Sequence, residues 1–159
     1  RFYRGAGAYS SRTGVKISDH RNRRLLRLHY GVDAVTLVDR RSASSVRRAI
    51  EAYLSGELTA IDTVPVETGG TPFQRQTWAA LRRIPAGHTT SYGRLAAAIE
   101  RPRAVRAVGL ANGANPIGIV VPCHRVIGAD GSLTGYGGGL DRKRWLLAHE
   151  KEIRHGVNV

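Results

Sequence analysis

The chain of 159 residues has one cysteine and no methionine. A single thiol excludes an internal disulfide, fits a reducing compartment and rules out a cysteine-rich zinc site. It leaves Cys123 as either buried filler or a reagent. With even an initiator methionine missing, the chain is expected to be a fragment or a processed form. Long apolar runs are missing too. None approaches the ~18–20 residues that span a bilayer, and the basic start, RFYRGAGAYSSRTG, lacks the apolar segment of a secretory signal. No membrane partner is expected. The six histidines are scattered, and no pair has helical ligand spacing with a carboxylate nearby, so neither metal nor cofactor is expected.

Acidic residues are scarce: 12 against 25 basic ones, for a net charge of +13. Lysine is scarcer still, confined to Lys16, Lys143 and Lys151, so the charge is arginine. A small domain this basic points to a polyanion, most often nucleic acid. The bland alternative is an arginine-biased composition on a generic solvated surface. No polybasic amphipathic helix favours a membrane surface.

Residues 1–40 hold short alternating runs, VKIS, RLLRLHY and DAVTLVD, that read as two or three strands. In SASSVRRAIEAYLSG the residues Val46, Ala49, Ile50, Tyr53 and Leu54 form one helical stripe. Ser42 or Ser44 is the expected cap and Gly56 the stop. A linker at 67–71 divides the chain into an α/β domain, residues 1–68, and a compact mainly helical domain, residues 71–159. In the second domain Thr71 caps a helix with Pro72 in its first turn and Phe73, Thr77, Ala80, Leu81 and Ile84 on one face. Ser91 caps a short helix whose inner face is Tyr92, Leu95, Ala96 and Ile99. Pro102 is expected to open another, giving a helix-turn-helix pair. PIGIVVP reads as buried extended chain, GADGSLTGYGGG as a glycine-rich loop or hairpin, and LDRKRWLLAHEKEI as a last helix capped by Asp141.

The helix after Pro102 carries Ala104, Ala107, Ala111 and Ala114 three or four apart, flanked by Arg101, Arg103 and Arg106. Small residues suit close approach to a nucleic-acid surface with arginine on phosphate. Without the charges they suit tight packing in a core equally well, but three arginines on so short a helix favour a nucleic-acid-facing helix.

Cys123 stands between Pro122 and His124. A thiol near its free pKa of ~8.5 is only a few per cent thiolate at neutral pH, so a nucleophilic cysteine needs a base or a positive field. His124 can be that base if an acceptor holds its other nitrogen. Glu150 is the first candidate, with Asp130 and Asp141 behind it. From these residues alone, buried filler stands beside nucleophile as a reading.

The longer stretch PCHRVIGADGSLTGYGGGLDRKRWLLAHE resembles the active-site region of the O6-alkylguanine-DNA alkyltransferases. The similarity runs back through IVVPCHRV, RAVGLANGANP and TPFQRQTWAALRRIPAGHTTSYGRLAAAI, over about residues 71–151. The Cys123–Glu150 spacing fits that family without a gap. The resemblance implies a ribonuclease-H-like α/β domain followed by a winged-helix-like, mainly α, alkyltransferase domain. Residues 1–40 lack the Ser-Pro-x-Gly turn that usually opens the first of these. It implies a single-turnover transfer of the alkyl group of O6-alkylguanine, with O4-alkylthymine as a second substrate, to Cys123. In that scheme His124 is the base, Glu150 its orienter, Tyr92 the proton donor to the departing base, and Asn115 the hinge. Arg106 would fill the stack behind a flipped base. Arg103, Ala104, Ala107, Ala111 and Tyr92 would face DNA in the minor groove. Tyr136, Gly137, Gly138, Val126 and Asn112 would line the substrate pocket, with the glycines leaving it open to bulky alkyl groups. The implied partner is double-stranded DNA carrying alkylated guanine, the implied state a monomer, and the implied location a bacterial-type cytoplasm at the nucleoid. Two other functions remain open: a non-catalytic binder of alkylated guanine, which would not need Cys123, and a Cys-His-Glu hydrolase, which would need an oxyanion hole.

Overall fold

The computed structural model describes residues 40–156. The strands expected in residues 1–40, and most of the ribonuclease-H-like domain expected over 1–68, lie outside the described residues.

Helix α1, Arg40–Leu54, already runs at Arg40, so neither Ser42 nor Ser44 is its cap. Its far end follows the reading. Gly56 takes φ +113°, a conformation that costs glycine little. The Gly56 and Glu57 amides turn back onto the Tyr53 and Ala52 carbonyls at 3.1 and 2.9 Å. This is the Schellman closure of a helix. A 3₁₀ turn follows at Ala60–Thr63. Tyr53 and Ile61 then pack on Leu146 of the last helix as a small second core.

Helix α2, Pro72–Arg82, starts with a complete capping box. Gln74 N–H donates to Thr71 Oγ1 at 3.2 Å and Thr71 N–H to Gln74 Oε1 at 2.9 Å. Trp78, which the expected apolar face omits, is 2% exposed. Its indole N–H donates to the Ala111 carbonyl at 2.8 Å. A tryptophan is buried without penalty only where that N–H finds an acceptor. Sequence periodicity does not show one 33 residues away.

Strand β1, Thr90–Ser91, pairs in parallel with β2, Val126–Ile127, in the register Thr90↔Val126 and Ser91↔Ile127. This clip is short, but it holds the start of α3 beside the cysteine-bearing turn. Helix α3, Tyr92–Ala98, is capped by Ser91, whose Oγ accepts from Arg94 N–H at 3.2 Å. Helix α4, Val105–Gly113, begins three residues later than expected, because Pro102 lies in the turn before it. Helices α2, α3 and α4 pack on one another. Around them the main core gathers Trp78, Leu81, Leu95, Ala96, Ile99, Val108, Val121, Cys123 and Val126.

The segment PIGIVVP is not extended. Val121 N–H returns to the Ile117 carbonyl at 3.0 Å, and Ile119 sits at φ +76°. A β-branched residue rarely adopts that conformation. The Asn115 amide enforces it from inside the turn: Oδ1 accepts from Ile117 N–H at 3.0 Å and Nδ2 donates to the Val121 carbonyl at 2.7 Å. Helix α5, Leu140–Gly156, closes the described chain. Asp141 lies inside its first turn and pairs with Arg144 at 2.8 Å, so it is not the cap.

Candidate active site

Cys123, His124 and Arg125 form a single 3₁₀ turn between the Asn115 clamp and β2. At three residues per turn, successive side chains leave in different directions. Cys123, 7% exposed, joins the main core. His124 and Arg125 point the other way, to Glu150 of α5.

Glu150 is fully buried and receives donors from four residues. Oε1 accepts from Tyr53 Oη at 2.7 Å, His124 Nε2 at 2.9 Å and Arg125 Nη2 at 2.8 Å; Oε2 accepts from Gly87 N–H at 2.9 Å. Arg125 Nε lies 3.1 Å from both oxygens. Burial alone would push the carboxyl up. The hydrogen bonds and charges of His124 and Arg125 more than reverse that and hold it well below the usual carboxylate range. Glu150 is therefore an anion at neutral pH. His124 is pushed below its ordinary value of 6.5 by burial, against the opposing pull of Glu150. It is neutral. With Nε2–H donating to Glu150, the proton-free nitrogen is Nδ1, an assignment made from the hydrogen-bond network. Nδ1 has no hydrogen-bond partner among the described residues. The other acceptors weighed for His124 are elsewhere. Asp130 is exposed and takes the Ser132 hydroxyl at 2.7 Å, and Asp141 is engaged with Arg144.

Four groups here escape the sequence reading: Arg125, Tyr53, Gly87 and Lys143. Lys143 is wholly buried. Its Nζ donates to the Val126 carbonyl at 2.7 Å and to the Thr134 carbonyl at 2.8 Å. Burial pushes its pKa down, while charge interaction with Cys123 pushes it up. One cation thus ties the cysteine's strand to the glycine-rich loop and places positive charge near the thiol. Nothing in DRKRW distinguishes it from its exposed neighbours. The one available signal was that Arg125 directly follows the Cys-His pair.

Beside this centre lies a cavity of about 620 Å³. Tyr92, Arg106, Asn112, Tyr136 and Gly137 line it, as does Leu110, an unanticipated wall. Tyr92 and Tyr136 also pack on the core cluster that contains Cys123, so they join the cavity to the thiol's surroundings. Thr134 Oγ1 donates to Tyr92 Oη at 3.1 Å. Tyr136 stands edge-on to the His124 ring at 6.5 Å.

Several expected site residues sit elsewhere. The Val126 side chain is fully buried in the core and is not on the cavity wall. Gly138 is off the wall too. A Cβ there would stand 2.8 Å from Tyr136 Cε1, so glycine at this position makes room for the tyrosine ring. The alanine stripe is not one outward face. Ala107 is exposed and Ala104 half-buried before the helix begins, but Ala111 is 2% exposed in the interior. Core packing is the correct reading for Ala111, because its carbonyl receives Trp78 from inside. The outward side of α4 is Val105, Arg106, Ala107, Leu110 and Gly113. Arg103 is exposed in the turn before it.

Residues 72–152 match the family described as 6-O-methylguanine DNA methyltransferase, DNA binding domain. A methylated-DNA--protein-cysteine methyltransferase of Salmonella typhimurium is 54% identical over 130 residues, covering 82% of this chain and 76% of that protein. Among solved structures, Mycobacterium tuberculosis OGT in complex with DNA superposes with a TM-score of 0.65 at 55% identity, over 70% of this chain and 67% of that one. An O6-methylguanine-DNA methyltransferase from Pyrococcus kodakaraensis does so at 0.50 with 26% identity, over 72% of this chain and 82% of that one. On the extent of these matches, over a turn that carries the thiol and a neutral imidazole bonded to a buried carboxylate, the chain belongs to the 6-O-methylguanine DNA methyltransferase family.

Proposed function

We propose that this protein repairs alkylated DNA by direct reversal, moving the alkyl group from O6 of guanine, or O4 of thymine, to its own Cys123. The observation that carries this reading is the 2.9 Å contact between His124 Nε2 and a buried, anionic Glu150. It fixes the imidazole in the tautomer whose Nδ1 can take a proton from the thiol. The Cys123 sulfur attacks the alkyl carbon. The S–C bond forms as the C–O6 bond breaks, with the electron pair staying on the base. The thiol proton passes to His124, and Tyr92 supplies the proton that the departing guanine needs. The thioether product has no leaving group to regenerate the thiol, so each molecule acts once.

Access to the lesion follows from α4. A base inside a duplex must leave the stack before a group on it can meet a thiol that is 7% exposed. Arg106 would fill the gap; its exposure on the cavity rim supports that role. The protein acts as a monomer on double-stranded DNA in the cytoplasm.

Intact mass after incubation with an O6-methylguanine duplex tests the reading. One gain of ~14 Da located on Cys123 is expected, because a covalent intermediate that cannot turn over accumulates. Cys123→Ser should gain nothing and still bind DNA. Binding with no adduct would leave a non-catalytic binder, and turnover with no adduct a hydrolase.

A further inference from the structure

Thr134 and Tyr92 meet at the cavity from unrelated elements. Tyr92 opens α3, directly after the β1 clip, and Thr134 lies 42 residues on, in the glycine-rich loop. Two ties bring them together. Strand β1 pairs Thr90 with Val126. Lys143 then donates from one Nζ to the carbonyls of Val126 and Thr134, at 2.7 and 2.8 Å. Thr134 is thus held by its backbone, and its β-branched side chain has few rotamers to choose from. Its Oγ1 stands 3.1 Å from Tyr92 Oη, and both residues line the cavity. The fold does not need this bond. Thr134 is exposed, so water could serve both hydroxyls.

We infer that Thr134 is a positioning residue for the alkyl transfer: its hydroxyl donates to Tyr92 Oη and so aims the phenol's own proton into the cavity. This rests on the function proposed above. In the free protein either hydroxyl could give the proton of the bond. A base in the cavity decides between them. The ring nitrogen that is to be protonated offers only a lone pair, so Tyr92 has to donate to it and Thr134 to Tyr92. As the S–C bond forms, the electron pair of the C–O6 bond passes into the base and a proton follows from Tyr92 Oη. Negative charge is left on the phenol oxygen, where the Thr134 O–H already points. A hydrogen bond to a charged oxygen is shorter and stronger than the 3.1 Å bond between two neutral hydroxyls. Solvent returns the phenol's proton once the base has left, and His124 releases the one it took from the thiol. In sum the thiol proton is exchanged for the alkyl group.

Rates of Cys123 benzylation by O6-benzylguanine, read by intact mass, test this in a cycle of four proteins: the natural chain, Thr134→Val, Tyr92→Phe and the double variant. Melting temperature is measured for each, and Thr134→Ala stands in if valine disturbs the loop. Thr134→Val should slow transfer about tenfold, the worth of one hydrogen bond to a developing charge in a partly solvated site. In the Tyr92→Phe protein the same change should cost less than about twofold, because no phenol is left to aim. Thr134→Ser, which restores the hydroxyl, should recover most of the rate. A merely structural threonine would slow every substrate alike. Here the Thr134→Val penalty should shrink with O6-benzyl-8-azaguanine, whose electron-poor ring departs with less help from a proton. Equal penalties with and without the Tyr92 hydroxyl, or with both bases, would overturn the inference. If neither O6-benzylguanine nor a methylated duplex leaves an adduct on the natural protein, the transfer reading fails and this inference with it.

Discussion

At the scale of single residues, the site is organised around where protons cannot go. Glu150 is held below the carboxylate range and His124 below 6.5. Both therefore bind fewer protons folded than unfolded, and both signs agree. The stability they contribute is complete above about pH 6.5 and falls as pH drops, first through His124 and then, below about 4.5, through Glu150 as well. Melting temperature measured from pH 8 to pH 4 should be level at the top and fall from about 6.5 downward. The alkylation rate should keep a plateau at neutral pH with an acid limb below 6.5, where His124 begins to carry a proton. Tyr53 supports the same carboxylate from 97 residues away. Tyr53→Phe removes one donor to a buried charge and should cost roughly 1.5–3 kcal/mol in urea unfolding. The sequence made Cys123, His124 and Glu150 legible because two are adjacent and the third sits at a spacing the family resemblance recognises. Tyr53, Gly87 and Arg125 were not legible as its partners. A residue's burial partner at long range leaves no mark on its own neighbourhood, and a tyrosine on an amphipathic stripe reads only as core.

At the scale of elements, the helices were the readable part, since their signals are local. Thr71, Pro72 and Gln74 announce the start of α2, and Ser91 announces α3. What failed were elements decided by distant bonds. PIGIVVP has the composition of a buried strand, yet the Asn115 amide folds it into a turn with Ile119 left-handed. The alanine spacing of α4 predicted one outward stripe, yet the Trp78 indole draws Ala111 inward. Arg106 remains outside, on the cavity rim. In the proposed function its work lies in opening the stack, so Arg106→Ala should slow repair of a methylated duplex far more than reaction with a free alkylated base, which has no stack to open. Single-turnover rates on the two substrates are the measurement. Equal losses would remove the finger role from this side chain.

At the scale of the whole molecule, elements from both sides of the 67–71 segment meet at the site. The linker at 67–71 was expected to separate domains. Yet α1 and the Ala60–Thr63 turn, on one side of it, pack on α5 from the other, through Tyr53, Ile61 and Leu146. His149 Nε2 also contacts the Tyr53 carbonyl at 2.9 Å. The Glu150 carboxylate that holds His124, the base of the proposed reaction, is therefore fully bonded only when α1, the turn at Gly87, the 3₁₀ turn and α5 are all in place. Because the cysteine is single, its modification reports on this directly. Across a urea titration, the rate of Cys123 benzylation by O6-benzylguanine should fall together with the global unfolding signal. A rate lost well before unfolding would show that the site loosens on its own.

Glu150 also sets a schedule for the life of the chain. Synthesis delivers Cys123 and His124 before the helix that carries Glu150, and the Tyr53–Glu150 bond spans 97 residues, a separation whose closure entropy opposes early contact. Until then the thiol lacks an oriented base and is an ordinary, mostly protonated cysteine. A reagent that can be used only once is thus kept unarmed while nascent or unfolded. It does not spend itself on stray electrophiles before it can recognise its lesion.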